Sequence, residues 1–153
     1  MEDKDLKNIE NQLKNSMGTL IGRTSHAILN NLQKKFREEG CNITVEQWQV
    51  LINLNNTNDQ FHQQLAENTF KEKSTITRLL DGLEKKNLIK RVADTLDRRQ
   101  KRIRITSRGK SLLNKLKPFA HEVQGRALND IDQKQMKICQ DILLKIYNNV
   151  TGP

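Results

Sequence analysis

Leu6, Ile9, Leu13, Met17, Leu20, Thr24, Ile28, Leu32 and Phe36 recur at every third or fourth position. That spacing puts one apolar stripe on a long helix, predicted from about Leu6 to Phe36. Gly18 and Gly22 lie beside the stripe, where they permit close helix approach, and Gly40 supplies a C-terminal stop. Thr44 opens the next helix. Gln47, three residues on, completes a capping box, and Trp48, Val50, Leu51 and Leu54 form the buried side. The polar run Asn55 to Asp59 predicts a turn. A short helix follows from Gln60 to about Asn68, with Phe61, Leu65 and Ala66 facing inward. After a brief turn, a further helix is predicted from Lys73 to Lys86, with Ile76, Leu79, Leu80 and Leu83 on one face and Asn87 ending it in the left-handed conformation.

Ile89 to Ala93 and Lys101 to Ile105 alternate apolar with basic residues around the polar loop Asp94 to Gln100, which predicts a β-hairpin. Thr106 caps a helix through Leu112, Leu113, Leu116, Phe119 and Val123, with a kink expected at Pro118. Asp132 and Gln135 start the last helix, which carries Met136, Cys139, Ile142, Leu143 and Ile146; Asn148 to Pro153 is expected to fray. The fold class is therefore mainly α with a small β-hairpin wing: a winged helix-turn-helix lobe at residues 43–108 flanked by dimerisation helices at 5–38 and 109–148. The flanking stripes exceed what a small lobe can cover, so their plainest use is to pack together across a two-fold axis in a homodimer.

Charge sharpens this picture. Of 27 Lys/Arg and 18 Asp/Glu, the stretch Lys71 to Lys110 holds 14 and 5, which leaves the other 113 residues neutral with 13 of each sign. An excess this localised points to a polyanion. The lack of an exposed Trp/Phe face opposite the charges disfavours a membrane surface. No apolar run is long enough to span a membrane, and the acidic start MEDKDLKNIE is not a signal peptide. Cys41 and Cys139 lack metal or redox spacing and suit a reducing cytoplasm. Cys139 falls on an apolar stripe and reads as a buried thiol; Cys41 falls in a loop, where exposure and oxidation stay open.

Small hydroxyl residues at a helix start let the backbone approach base edges in a major groove. Ser74, Thr75 and Thr77 serve that purpose, with Lys73 for phosphate and Arg78 for guanine or phosphate. At the wing tip, Arg98 and Arg99 can enter a minor groove, with Arg99 the deeper. Lys71, Lys90, Lys101, Arg102 and Arg104 are read as phosphate contacts or steering charges. His26, His62 and His121 are isolated, and no catalytic, cofactor or metal motif is visible; the chain is not expected to be an enzyme.

From Ile43 to Gly109 the chain resembles the MarR family of transcriptional regulators. The matching pieces are ITVEQWQVL, LAE, KSTITRLLDGLEKK, LIKR, DTLDRR and ITSRG, in that order. The resemblance implies a homodimer that grips an imperfect palindrome of double-stranded DNA, most commonly as a repressor relieved by a small molecule or by thiol oxidation. It implies that Asp97 holds a neighbouring arginine, and that an effector would sit between dimer helices and lobe, with Met17, Ile21, His26, Trp48 and Phe61 as candidate lining. Asn87 and Phe70 stand where the family often has glycine; Phe70 is expected to pack down on the core. The alternative to a sequence-specific regulator is a winged-helix interaction or architectural scaffold.

Overall fold

The computed structural model describes Lys14 and residues 16–152. Leu6, Ile9 and Leu13, the start of the predicted first stripe, lie outside the described residues. Helix α1 spans Met17–Glu38 and begins at Ser16, whose hydroxyl accepts the Thr19 N–H at 3.3 Å. The stripe is therefore not carried by one unbroken helix: Lys14 is helical, but Ser16 is an extended N-cap. Then come α2 (Val45–Asn56), β1 (Gln60–Phe61), α3 (His62–Thr69), α4 (Lys73–Lys85), β2 (Ile89–Ala93), β3 (Lys101–Ile105), α5 (Ser107–Ala127) and α6 (Gln133–Thr151). Two compact units are present, and the boundary falls inside α5 between Val123 and Gln124.

In the first unit, one core joins Leu32 and Phe36 of α1 to Val50, Leu51 and Leu54 of α2, Leu65 of α3, Ile76, Leu79, Leu80 and Leu83 of α4, Ile103 and Ile105 of β3, and Leu113 and Leu116 of α5. The local signals behave as their chemistry demands. Thr44 and Gln47 form a reciprocal capping box, and Thr106 Oγ1 accepts the Gly109 N–H at 3.0 Å. Asn87 adopts φ 56° and Gly40 φ 66°. Pro118 sits within α5, which continues through it.

The sheet has three strands, not two. Its order is β1-β3-β2, all antiparallel, with Gln60 opposite Ile103 and Phe61 opposite Arg102. Gln60 and Phe61 thus belong to a strand, and α3 starts only at His62. Gln60 is buried; its Nε2 donates to Asn53 Oδ1 at 2.8 Å and its Oε1 accepts from Asn68 at 2.7 Å. A buried amide this well satisfied fixes the α2–β1–α3 corner.

Phe70 departs most from expectation. It ends α3 in the left-handed conformation, φ 53°, with its side chain 79% exposed and not packed on the core. In the second unit, Asp132 and Gln135 form a capping box, and α6 runs to Thr151, past the residues expected to fray. No residue of α6 is buried; Ile138, Ile142, Leu143, Leu144, Tyr147 and Val150 are all exposed.

Gly109 marks where α5 crosses the start of β2. A Cβ there would lie 2.3 Å from the Leu88 carbonyl oxygen and 2.7 Å from Ile105 Cγ1. In an open helix, Gly→Ala gains about 1 kcal/mol. Here the obstacle is backbone, so Gly109→Ala is expected to destabilise by about 1–3 kcal/mol. Urea unfolding checks the sign; a stabilised variant would show that the crossing is looser than described.

Candidate nucleic-acid interface

Helix α4 owes its placement to one face. Ile76, Leu79, Leu80 and Leu83 are buried, which turns Lys73, Ser74, Thr77 and Arg78 outward, with Thr75 at the boundary. The N-cap is Glu72, which makes no side-chain capping bond. Ser74 and Thr75 lie inside the first turn and do not cap it either. The N–H groups of that turn have no intrahelical partner, which makes the end of α4 a natural anion site.

Thr77 is held from two sides. Its Oγ1 donates to the Lys73 carbonyl at 3.0 Å and meets His62 Nε2 at 2.9 Å. With the hydroxyl proton committed, His62 Nε2 must donate. His62, the first residue of α3, thus orients the Thr77 hydroxyl on the exposed side of α4. In the sequence it stands as an isolated histidine, because its partner lies fifteen positions on. Arg78 leans loosely on Glu46 at 3.9 Å, with both side chains largely exposed.

The wing's arginines divide into two sets. Arg102 Nε donates to Asp94 Oδ1 at 2.5 Å and its NH1 to the Asp59 carbonyl at 3.0 Å, while its guanidinium lies 4.3 Å from the Phe61 ring centre. Arg104 pairs with the Asp59 carboxylate. Arg91 bridges Asp81 at 2.7 Å and Glu84 at 2.5 Å, tying β2 to α4. These three brace the lobe; Arg102 and Arg104, read from the sequence as phosphate contacts or steering charges, are each paired with a carboxylate. Lys71, Lys73, Lys90, Arg98, Arg99 and Lys101 make no ion pair among the described residues.

Asp97 does not grip a guanidinium. Its Oδ1 accepts the Arg99 backbone N–H at 3.0 Å and its Oδ2 accepts from Gln100 at 3.3 Å. It still positions Arg99, but by shaping the turn. Within the wing loop the carboxylate that holds an arginine is Asp94, buried at 5% exposure, which also accepts the N–H groups of Leu96 and Asp97 at 3.2 Å. Arg98, Arg99 and Leu96 project from the tip, Leu96 at 93% exposure.

The five effector-lining candidates are not gathered together. Met17, Ile21 and His26 lie on the exposed side of α1, and His26 bonds Asn30. Trp48 packs edge-on against Phe36, 5.8 Å between centres. Met17 and Phe36 are nineteen helical positions apart, about 29 Å, too far to line one small cavity within a chain. Phe61 sits under Arg102. The cysteines exchange roles: Cys41 is buried, its Sγ 3.6 Å from the Glu39 carbonyl, and Cys139 is exposed on α6. Burial of Cys41 follows from its backbone bond to Phe36 at 2.8 Å, which folds the loop back on α1. Among the described residues no helix is long and apolar enough to cross a membrane, and no cluster of three His, Cys, Asp or Glu could hold a metal.

An uncapped helix start backed by a second helix and flanked by an arginine-tipped hairpin defines a winged helix-turn-helix DNA-binding protein. Residues 43–101 match the MarR family model. The transcriptional regulator PA3341 is 32% identical and superposes over 90% of this chain and 100% of its own, with a TM-score of 0.78. CouR from Rhodococcus jostii RHA1, solved bound to p-coumaroyl-CoA, is 26% identical over 88% of this chain and 93% of its own, TM-score 0.75. At 18% identity, BpsR from Bordetella bronchiseptica shares the fold over 88% and 95%, TM-score 0.80; its DNA binding is regulated by 6-hydroxynicotinic acid. The chain belongs to the MarR family of DNA-binding, non-enzymatic transcriptional regulators.

The wing's acids carry a pH signature. The Arg102 hydrogen bond, opposed by burial and aided by the Leu96 and Asp97 N–H groups, holds the Asp94 carboxyl below its ordinary value. Arg104 does the same for Asp59. A carboxylate depressed on folding stabilises fully above its unfolded pKa, and that gain is lost as pH falls through the folded one. Below about pH 4 the native protein is therefore expected to lose stability partly through these two groups. Asp59→Asn/Asp94→Asn should melt lower at pH 7 and fall less steeply toward pH 3. Identical slopes in thermal melts would assign the acid lability elsewhere.

Proposed function

We propose that this MarR-family chain acts as a homodimeric, sequence-specific repressor that is released from its operator by a small molecule. The observation that carries the DNA mode is the bare start of α4 beside a wing tip of free cations. Lys73, Ser74, Thr75, Thr77 and Arg78 enter the major groove. Arg98 and Arg99 enter the minor groove, in a turn shaped by Asp97, and Lys101 meets a flanking phosphate. Three other arginines are consumed by structural carboxylates, so the wing tip is left to function.

Dimerisation is supported by the apolar residues left uncovered in each unit. Helix α6 buries nothing, and α1 exposes Met17, Leu20, Ile21 and Ile28. Helices of this length gain most of their stability by burying an apolar face, and a second copy supplies one at no cost in sequence. Residues 5–38 and 109–148 are therefore assigned to the dimer base, and residues 43–108 to the DNA lobe. Two-fold symmetry then requires an imperfect palindrome with half-site centres about 10 bp apart. CouR was solved with a small molecule bound and the DNA binding of BpsR is regulated by one, which supports effector release; repression follows from the family's commonest mode.

Selection from a fragmented genome should enrich such a palindrome. On it, Arg98→Ala/Arg99→Ala is expected to lower affinity at least tenfold, while Lys101→Ala flattens the salt dependence by about one unit of slope. Salt-sensitive binding with no enriched sequence would favour the architectural reading. Sedimentation should give a dimer, and Ile142→Glu/Leu143→Glu a monomer or an unfolded chain; a monomeric wild type would remove the two-fold argument.

A further inference from the structure

At the far end of α4 a cleft of about 490 Å³ opens within the first unit. Its walls are the loop Gly40–Asn42, Lys86 and Leu88 after α4, and Arg108, Ser111, Leu112 and Lys115 on α5. Three of these nine residues are cationic and none is acidic. Arg108 and Lys115 make no ion pair among the described residues. Lys86 has only neutral partners: its ammonium donates to the Asn42 carbonyl at 2.9 Å and to Gln47 Oε1 at 3.0 Å, and burial pushes its pKa down. Three cations thus line one concavity without a counter-charge among the described residues, Lys86 half-buried and Arg108 and Lys115 exposed at its rim, an arrangement that attracts an anion. Leu88, Leu112 and buried Cys41 give the same cleft an apolar side.

We propose that this cleft binds a phosphorylated small molecule, its phosphate among Lys86, Arg108 and Lys115 and its organic body over Leu88 and Leu112. A dianion is favoured over a carboxylate because three cations need more than one negative charge. The volume lies within the range of small-molecule sites. The operator backbone is a poorer occupant: Lys73 and Lys86 stand thirteen helical positions apart, so the cleft lies about 20 Å along α4 from its DNA-facing start. Gln47 links the cleft to that helix, since its Oε1 accepts both the Thr44 N–H of the α2 capping box and the Lys86 ammonium, and a Cβ on Gly82 would meet its Nε2 at 2.5 Å. A phosphate that drew Lys86 away would loosen this clasp. That consequence rests on the DNA reading, whereas occupancy of the cleft does not.

The test uses full-length protein without DNA, titrated with phenyl phosphate and followed by amide chemical shifts. Saturable shifts at residues 40–42, 86–88 and 108–115 are expected. Benzoate, phenol and inorganic phosphate should each bind at least tenfold more weakly. Arg108→Ala/Lys115→Ala, both exposed positions, should weaken phenyl phosphate at least tenfold without altering the melting temperature. Shifts elsewhere, unchanged affinity in the double variant, or equal binding of inorganic phosphate or benzoate would overturn the assignment. So would a short duplex that displaces phenyl phosphate while the double variant loses about two units of salt slope, since the cations would then belong to the DNA backbone.

Discussion

The lobe depends on one constraint: α4 must be pinned along its length while its first turn stays bare. Ile76, Leu79, Leu80 and Leu83 supply the pinning through a fully apolar face. Because that face carries no polar group, nothing on it competes with the backbone, and the opposite side can hold hydroxyls and cations with no structural duty. Burial of four such side chains, at about 1.5–3 kcal/mol each, exceeds what the missing N-cap forfeits, about 1 kcal/mol. The helix can leave its start uncapped because its stability comes from the core.

Polar contacts then set angles the core alone leaves free. Arg91 fixes β2 against α4 through Asp81 and Glu84. Arg102 ties β3 to the wing loop through Asp94 and to the α2–β1 corner through the Asp59 carbonyl, and Arg104 adds the Asp59 carboxylate. Gln47 and Lys86 join the end of α4 to the α1–α2 loop. Each bond lies at the margin of the apolar core, where a guanidinium can keep one edge wet while its flat face packs, as Arg102 does on Phe61.

The sequence made legible whatever depends on near neighbours. Both capping boxes, the left-handed Asn87, the Thr106 cap and the buried face of α4 all follow from residues three or four apart. Contacts set by distant register were not legible. Gln60 and Phe61 form a strand only because β3, forty residues later, offers an edge. Which carboxylate takes which arginine depends on that same register, so Asp94 could not be distinguished from Asp97. His62 and Thr77 meet only when α3 crosses α4. Phe70 was misplaced because a left-handed cap aims its side chain outward, a direction that hydrophobicity does not encode.

The division among arginines explains why a chain with nine excess positive charges does not repel itself apart. In the basic stretch, most carboxylates are spent on arginines at element junctions, where fixed geometry gives a guanidinium an advantage over an ammonium. The lysines of the same stretch lie mainly at exposed positions, where water and salt screen them. Residue type therefore tracks duty with four exposed exceptions, Arg78, Arg98, Arg99 and Arg108. Arg98 and Arg99 are exposed like lysines but keep the guanidinium, a choice that screening does not require. A flat, weakly hydrated cation loses least on entering a narrow groove. Their identity, more than their charge, suits the wing tip to the minor-groove role proposed for it.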